Sequence, residues 1–398
     1  MDNNLRHFKD TTLMKELFLL DPDVIFLNHG SFGATPRPVF EEYQHWQEAL
    51  ERQPVQFLVH DLADHLAVAR AALGNFIHAD KDDLVYIPNA TFGVNVVARS
   101  LALGDGDEVL TTNHEYGACN HVWQFLSRKR GFQYKQKKIS LPVLSDDAFL
   151  EAVWQEVTSH TRVIFLSHIT SSTACEFPVQ AVCARAREAG ILTMVDGAHT
   201  PGQISIDMEA IGADFYCGNA HKWLCSPKGA GFLWTRRDQQ HLIEPLVVGW
   251  GWGEERTVDY GSDYLDYLQW LGTNDLSAYL AVPAAIRFQE DYDWTAVRRR
   301  CHDLVQQASQ RICALTGLDS LYSGTGRFFH QMAIAPLPRI SDLPALKMRL
   351  YEEYRVEVPL IEWEDRHFVR ISVQGYNTAS DIDALLMALT KLLPIYQA

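Results

Sequence analysis

The sequence contains no C-x-x-C pair among its seven cysteines (Cys119, Cys175, Cys183, Cys217, Cys225, Cys301 and Cys313), and seven is an odd number. Neither a disulfide framework nor a metal site is indicated, and most of these thiols read as reduced, buried fillers. No apolar run is long enough for a signal peptide or a membrane span, and the opening MDNNLRHFKD is polar and charged. A cytoplasmic location with no membrane partner is the expectation. Basic residues are scarce, 35 Lys and Arg against 50 Asp and Glu, for a formal charge of -15. Binding to a phosphate backbone relies on clustered cations, so this balance argues against nucleic acid. Internal repeats and low-complexity linkers are also missing.

What remains is an ordinary globular composition, 47% hydrophobic and 21% charged, in a chain of 398 residues. That length suits two domains sharing one body. From residue 83 onward short apolar runs alternate with helical stretches. Candidate strands are 84–87, 108–111, 162–167, 192–195, 214–217 and 230–233, several apolar throughout, as in Val163-Ile164-Phe165-Leu166. Strands buried on both faces and separated by helices define a mostly parallel α/β sheet. The spacing predicts two helices over 39–78, interrupted at Pro54, and a long helical segment over 275–315. Separated strands near 332–335, 356–359 and 368–373, with helices at 343–354 and 379–394, indicate a smaller α+β domain. The first twenty residues read as a short helix that docks on the body. The expected division is an amino-terminal segment 1–54, a large α/β domain 55–255, and an interdomain helix with the small domain over 256–398.

The sharpest local pattern is Asn219-Ala220-His221-Lys222-Trp223 followed by Pro227-Lys228-Gly229-Ala230-Gly231. A lysine among polar groups that can hold a phosphate is placed to act as an amine nucleophile. Asp196, in Val195-Asp196-Gly197-Ala198-His199, ends a buried strand and so reaches the carboxyl edge of the sheet, where α/β sites form. It lies 26 residues before Lys222, one crossover and one strand away. Pro88-Asn89-Ala90-Thr91-Phe92-Gly93 turns a strand end into a helix whose free amides suit a phosphate. In Asn113-His114-Glu115-Tyr116 the flat imidazole of His114 could stack on an aromatic group or act as an acid.

In this order, Asn89-Ala90-Thr91, His114, Asp196-Gly197-Ala198-His199 and His221-Lys222, the chain resembles the class V aminotransferases of fold type I. Leu27-Asn28-His29-Gly30-Ser31-Phe32-Gly33, Glu115-Tyr116-Gly117-Ala118, Gly251-Trp252-Gly253 and Gly272-Thr273-Asn274-Asp275 resemble the isopenicillin N epimerase branch. The resemblance spans nearly the whole chain and implies pyridoxal 5'-phosphate as cofactor. It implies that Lys222 holds the cofactor and shuttles protons, Asp196 pairs with the pyridine nitrogen, His114 stacks on the ring, and His199 lies near the phenolic oxygen. Ala90, Thr91, Asn219 and His221 would surround the phosphate, although desulfurases usually have serine where Asn219 stands. Thr273 would reach the phosphate of a neighbouring subunit, making a homodimer. In Phe368-Val369-Arg370-Ile371-Ser372 the strand resembles the one presenting an arginine to the substrate α-carboxylate, and Asn28 would be a second substrate contact. The alternative for Arg370 is an ion pair with Glu364 or Asp365.

The implied substrate is a small amino-acid-like molecule. A cysteine desulfurase needs a mobile cysteine before the carboxylate arginine, and residues 326–370 contain none. Epimerisation is the leading expectation, β-elimination of a cysteine conjugate the alternative, and a cofactor-binding protein without turnover the remaining class. The aromatic cluster Trp250, Trp252, Tyr264, Tyr267 and Trp270 reads as packing and rim.

Overall fold

A computed structural model describes residues 11–322 and 328–397. Seven strands form the main sheet: β1 (Leu84–Ile87), β2 (Glu108–Thr112), β3 (Gln133–Lys137), β4 (Thr161–Ser167), β5 (Leu192–Gly197), β6 (Phe215–Asn219) and β7 (Gly231–Thr235). Their order is β1-β7-β6-β5-β4-β2-β3. Strand β7 runs antiparallel to both its neighbours, and the other pairings are parallel. Every residue of β1, β2, β6 and β7 is buried, because helices cover both faces. The α/β fold class read from the apolar runs is the fold observed.

In the main sheet one strand escaped the sequence reading. Strand β3 is QYKQK with a half-exposed pattern, and it pairs only with β2 at the sheet edge. An edge strand can afford polar residues, so the apolar signal that marked the others is absent. The single long helix expected over 275–315 is three pieces, Ser277–Leu280, Val282–Asp291 and Trp294–Thr316. The break before the last falls at Asp293, which has positive φ and caps the following helix through its side chain. Helices Arg37–Arg52 and Leu62–Ile77 flank Pro54 as expected, joined by a π turn. The helix at the amino terminus is Thr11–Glu16, and the first ten residues of that reading lie outside the described residues.

Beyond the main sheet, strands β8 (Met332–Leu337), β9 (Leu360–Trp363) and β10 (Arg366–Ser372) form an antiparallel sheet in the order β9-β10-β8. Helices Leu343–Tyr354 and Ala379–Tyr396 accompany it. The amino-terminal strand Ile25–Phe26 pairs in parallel with Val356–Glu357, and Asn28 bridges to Ser372. These pairings bring the turn at 28–33 against the carboxyl edge of the main sheet. All seven cysteines are free, and only Cys313 is not fully buried. Among the described residues no helix is long and apolar enough to cross a membrane.

Candidate active site

The carboxyl ends of β1, β4, β5 and β6 converge on a cavity of about 520 Å³. Its wall includes Ala90 and Thr91 from the start of the helix after β1, Ser167 from β4, Asp196, Ala198 and His199 from β5 and its turn, and Asn219, His221 and Lys222 from β6 and its loop. Of the residues singled out in the sequence, Ala90, Thr91, Asp196, His199, Asn219, His221 and Lys222 line this cavity, whereas Asn28, His114, Thr273 and Arg370 do not.

Asp196 is 3% exposed. Its Oδ1 accepts the Ala198 N–H at 2.9 Å, while Oδ2 receives only the Cys119 thiol at 3.5 Å. Burial raises its pKa, opposed by the Ala198 amide and the positive Lys222. A carboxylate so placed gains from a cationic N–H donor in the cavity. Lys222 Nζ lies 3.1 Å from His199 Nε2, and the Trp223 indole N–H donates to His199 Nδ1 at 3.2 Å. Burial, with the nearby Arg370 charge, lowers the Lys222 pKa to about 8, against the pull of Asp196. Such a lysine releases its proton near neutral pH and becomes nucleophilic.

On the neighbouring strand end Asn219 Oδ1 accepts the Ala90 N–H at 2.8 Å, which leaves its amide NH₂ as a donor. His221 donates Nδ1–H to the Ala230 carbonyl at 3.1 Å, and burial lowers its pKa to about 4. The turn at 28–33 packs directly on this loop. Gly33 has a φ of +71°, and a Cβ there would overlap the His221 carbonyl oxygen, so only glycine fits.

Arg370 is 5% exposed and sits behind the wall. Its guanidinium donates to the Ser171 carbonyl at 2.8 Å and to Ser31 Oγ at 2.8 Å, both serines lining the cavity. Among the described residues no carboxylate forms a salt bridge with it, and its Nε has no hydrogen-bond partner. The alternative ion pair is absent because Glu364 turns to Lys138 at 3.0 Å and to Asn113. Asn28 does not line the cavity. Its Nδ2 donates to Glu357 and its Oδ1 accepts the Ser31 hydroxyl at 2.6 Å, so it holds Ser31 in place for Arg370.

His114 is not brought to the cavity either. Both its ring nitrogens are engaged, with Thr173 Oγ1 at 2.8 Å and the Ile139 carbonyl at 2.8 Å, and its ring packs on Trp363 with centroids 4.7 Å apart. The aromatic side chain that lines the cavity is Tyr116, two residues further on. After β2 the chain turns, and that offset exchanges a buried ring for one half open to the site. Thr273 lies in a separate surface depression with Val248, Trp250 and Trp270. Of the aromatic cluster, Tyr264 is core, while Trp250 and Trp252 are 64% and 55% exposed. Ser31 and Tyr116 stood inside motifs already noticed, and only the fold distinguishes them from their neighbours. Trp223 stood inside the lysine motif without a role of its own, and Ser171 carried no signal.

A buried lysine of lowered pKa, a carboxylate at the end of the adjacent strand and a helix start in the same cavity fit a cofactor-dependent enzyme of the fold type I class. The aminotransferase class V family model matches residues 31–327, and the chain belongs to that family. It is 34% identical over 388 residues to isopenicillin N epimerase of Amycolatopsis lactamdurans, covering 95% of this chain and 97% of that protein. It is 29% identical to a putative L-cysteine desulfhydrase of Oryza sativa subsp. japonica, over 92% of this chain and 82% of the relative. Among solved structures, the cystine C–S lyase C-DES with cysteine persulfide superposes with a TM-score of 0.80 at 20% identity, covering 95% and 99% of the two chains. That likeness speaks for the fold. The cofactor of the family is pyridoxal 5'-phosphate, and the cavity fits it: Asp196 offers a carboxylate oxygen with only a thiol for company, and Asn219 keeps a free amide beside the helix start.

Proposed function

We propose that this enzyme inverts the α-carbon of an amino-acid-like substrate, as an epimerase. The observation that carries the amino-acid part is Arg370, a buried guanidinium without a carboxylate partner among the described residues, held beside the same cavity as Lys222. A buried cation without a counter-charge is costly, and a substrate carboxylate bound through two hydrogen bonds supplies one. Bound in the cavity, pyridoxal phosphate supplies an electron sink for charge that develops at the α-carbon.

The chain's own residues do the rest. Asp196 would hold a proton on the pyridine nitrogen. Ala90, Thr91, Asn219 and His221 would hold the phosphate, whose negative charge would favour protonation of the His221 ring despite its burial. His199 would donate toward the phenolic oxygen, Asn28 orients Ser31, and Lys222 exchanges the α-proton on its own face only. Thr273 serves a neighbouring copy in a cytoplasmic homodimer. Inversion also needs a proton carrier on the face away from Lys222. Lys222 follows β6, on one side of the Asp196-bearing β5, whereas Tyr116 follows β2, on the other. We assign Tyr116 that role.

The 34% identity to an epimerase over nearly the full chain favours this reaction. β-Elimination is the second reading, favoured by the 29% relative, and requires Lys222 alone. Phe32 and Ile169 add apolar surface to the cavity wall, which suits a conjugated or peptide-like side chain better than free alanine. Incubation with isopenicillin N, L-cysteine and S-conjugated cysteines in D₂O tests both, with product chirality, α-deuterium and pyruvate measured together. Inversion with deuterium uptake and no pyruvate supports the epimerase. Pyruvate release without inversion replaces it with the lyase.

A further inference from the structure

We propose that Trp223 is a positioning residue for the Lys222 amine, acting by fixing the proton of His199 on Nε2. The indole N–H can only donate, and it lies 3.2 Å from His199 Nδ1. That nitrogen must therefore present its lone pair. A neutral imidazole has one proton, so it resides on Nε2, 3.1 Å from Lys222 Nζ. An ammonium has no lone pair and would meet this N–H donor to donor. The amine form can accept it, so the contact selects the unprotonated, nucleophilic lysine. Doubly protonated His199 would turn an N–H toward the indole N–H, and burial with the neighbouring cations already holds its pKa well below the usual range. Of the available protonation states one satisfies both contacts.

The indole has little freedom to leave. Trp223 is fully buried, its carbonyl accepts Gln289 Nε2–H at 2.8 Å, and the His29 ring packs against it with centroids 5.0 Å apart. On the other side Gly202 approaches the Trp223 carbonyl so closely that a Cβ would overlap it. Residue 223 is the direct neighbour of the nucleophile, so one loop carries both the amine and the group that sets its hydrogen-bond partner. Under the cofactor reading above, the same Nε2–H remains as a donor once the Lys222 nitrogen is engaged.

The full chain freed of cofactor and labelled with ¹⁵N-histidine gives the direct test, with the His199 signals assigned by their loss in His199→Gln. The expected result is a bare Nδ1 and a protonated Nε2. A proton on Nδ1, or a mixture, overturns the proposal without any variant of Trp223. Trp223→Phe keeps an aromatic ring and removes the donor. In that protein the tautomer becomes mixed, and the pH midpoint for acylation of Lys222 by acetic anhydride, followed by peptide mapping, rises by about one unit. An unchanged tautomer and midpoint in Trp223→Phe also overturn it. These readouts need no substrate, so an enzyme that proves to be a lyase refutes the reaction assigned above and leaves this inference standing.

Discussion

The two ends of the cavity are built on opposite electrostatic terms. At the Asp196 and Asn219 end, polar groups already have protein partners: Asp196 takes the Ala198 amide, and Asn219 takes the Ala90 amide. At the Arg370 end a guanidinium is buried against serine oxygens and a carbonyl, with Nε unpaired. Each side chain at the first end keeps a backbone amide as partner, whereas the second holds a buried guanidinium with no carboxylate partner among the described residues, a cost to the fold that a bound anion would remove. Function that needs a destabilised group is the usual exchange of stability for activity.

Substitutions separate the two ends. Lys222→Ala has the largest effect: turnover falls by at least about 10⁴-fold, and borohydride no longer fixes the cofactor to the protein. Arg370→Met lowers kcat/KM by about 10²-fold, as expected for a lost charge-assisted pair of about 3 kcal/mol, while raising the Tm of the cofactor-free protein. A lower Tm in that variant would erase the contrast between the two ends. Asn219→Ala moves stability the other way, by about 1–2 kcal/mol in urea unfolding, because the Ala90 amide loses its acceptor. The smallest effect concerns Glu115, buried against Ser167 and Thr112, where burial raises its pKa to about 7 despite those hydrogen bonds. The folded protein keeps this proton up to about pH 7, whereas the unfolded chain loses it near the ordinary value of 4.5. Between those values the native state binds more protons, so stability contributed by this group falls as pH rises. Glu115→Gln flattens that slope, and urea midpoints compared at pH 5 and pH 7 measure it.

The same division explains what the sequence disclosed. Strands buried on both faces show as apolar runs, and Asp196 and Lys222 stand out because they end such runs. Strand β3 stayed hidden because an edge tolerates QYKQK. At the substrate end the deciding contacts join distant segments. Nothing local tells His114 from Tyr116 as the ring that reaches the cavity, and nothing near Arg370 announces that Ser31 and Ser171 will be its partners. Sequence patterns register burial and turns well, and they register convergence of loops poorly.

The parallel pair of Ile25–Phe26 with Val356–Glu357 has a consequence for the order of assembly. Ser31 and Arg370 are 339 positions apart, so the turn that covers the lysine loop has no strand to join until almost the entire chain has been made. Closing such a long loop is entropically slow and is rewarded only by its final contacts. The main sheet with Asp196 and Lys222 can form during synthesis. The contacts of Arg370 come last, so in a newly made chain the sheet edge that carries Lys222 can be in place before the turn that covers it.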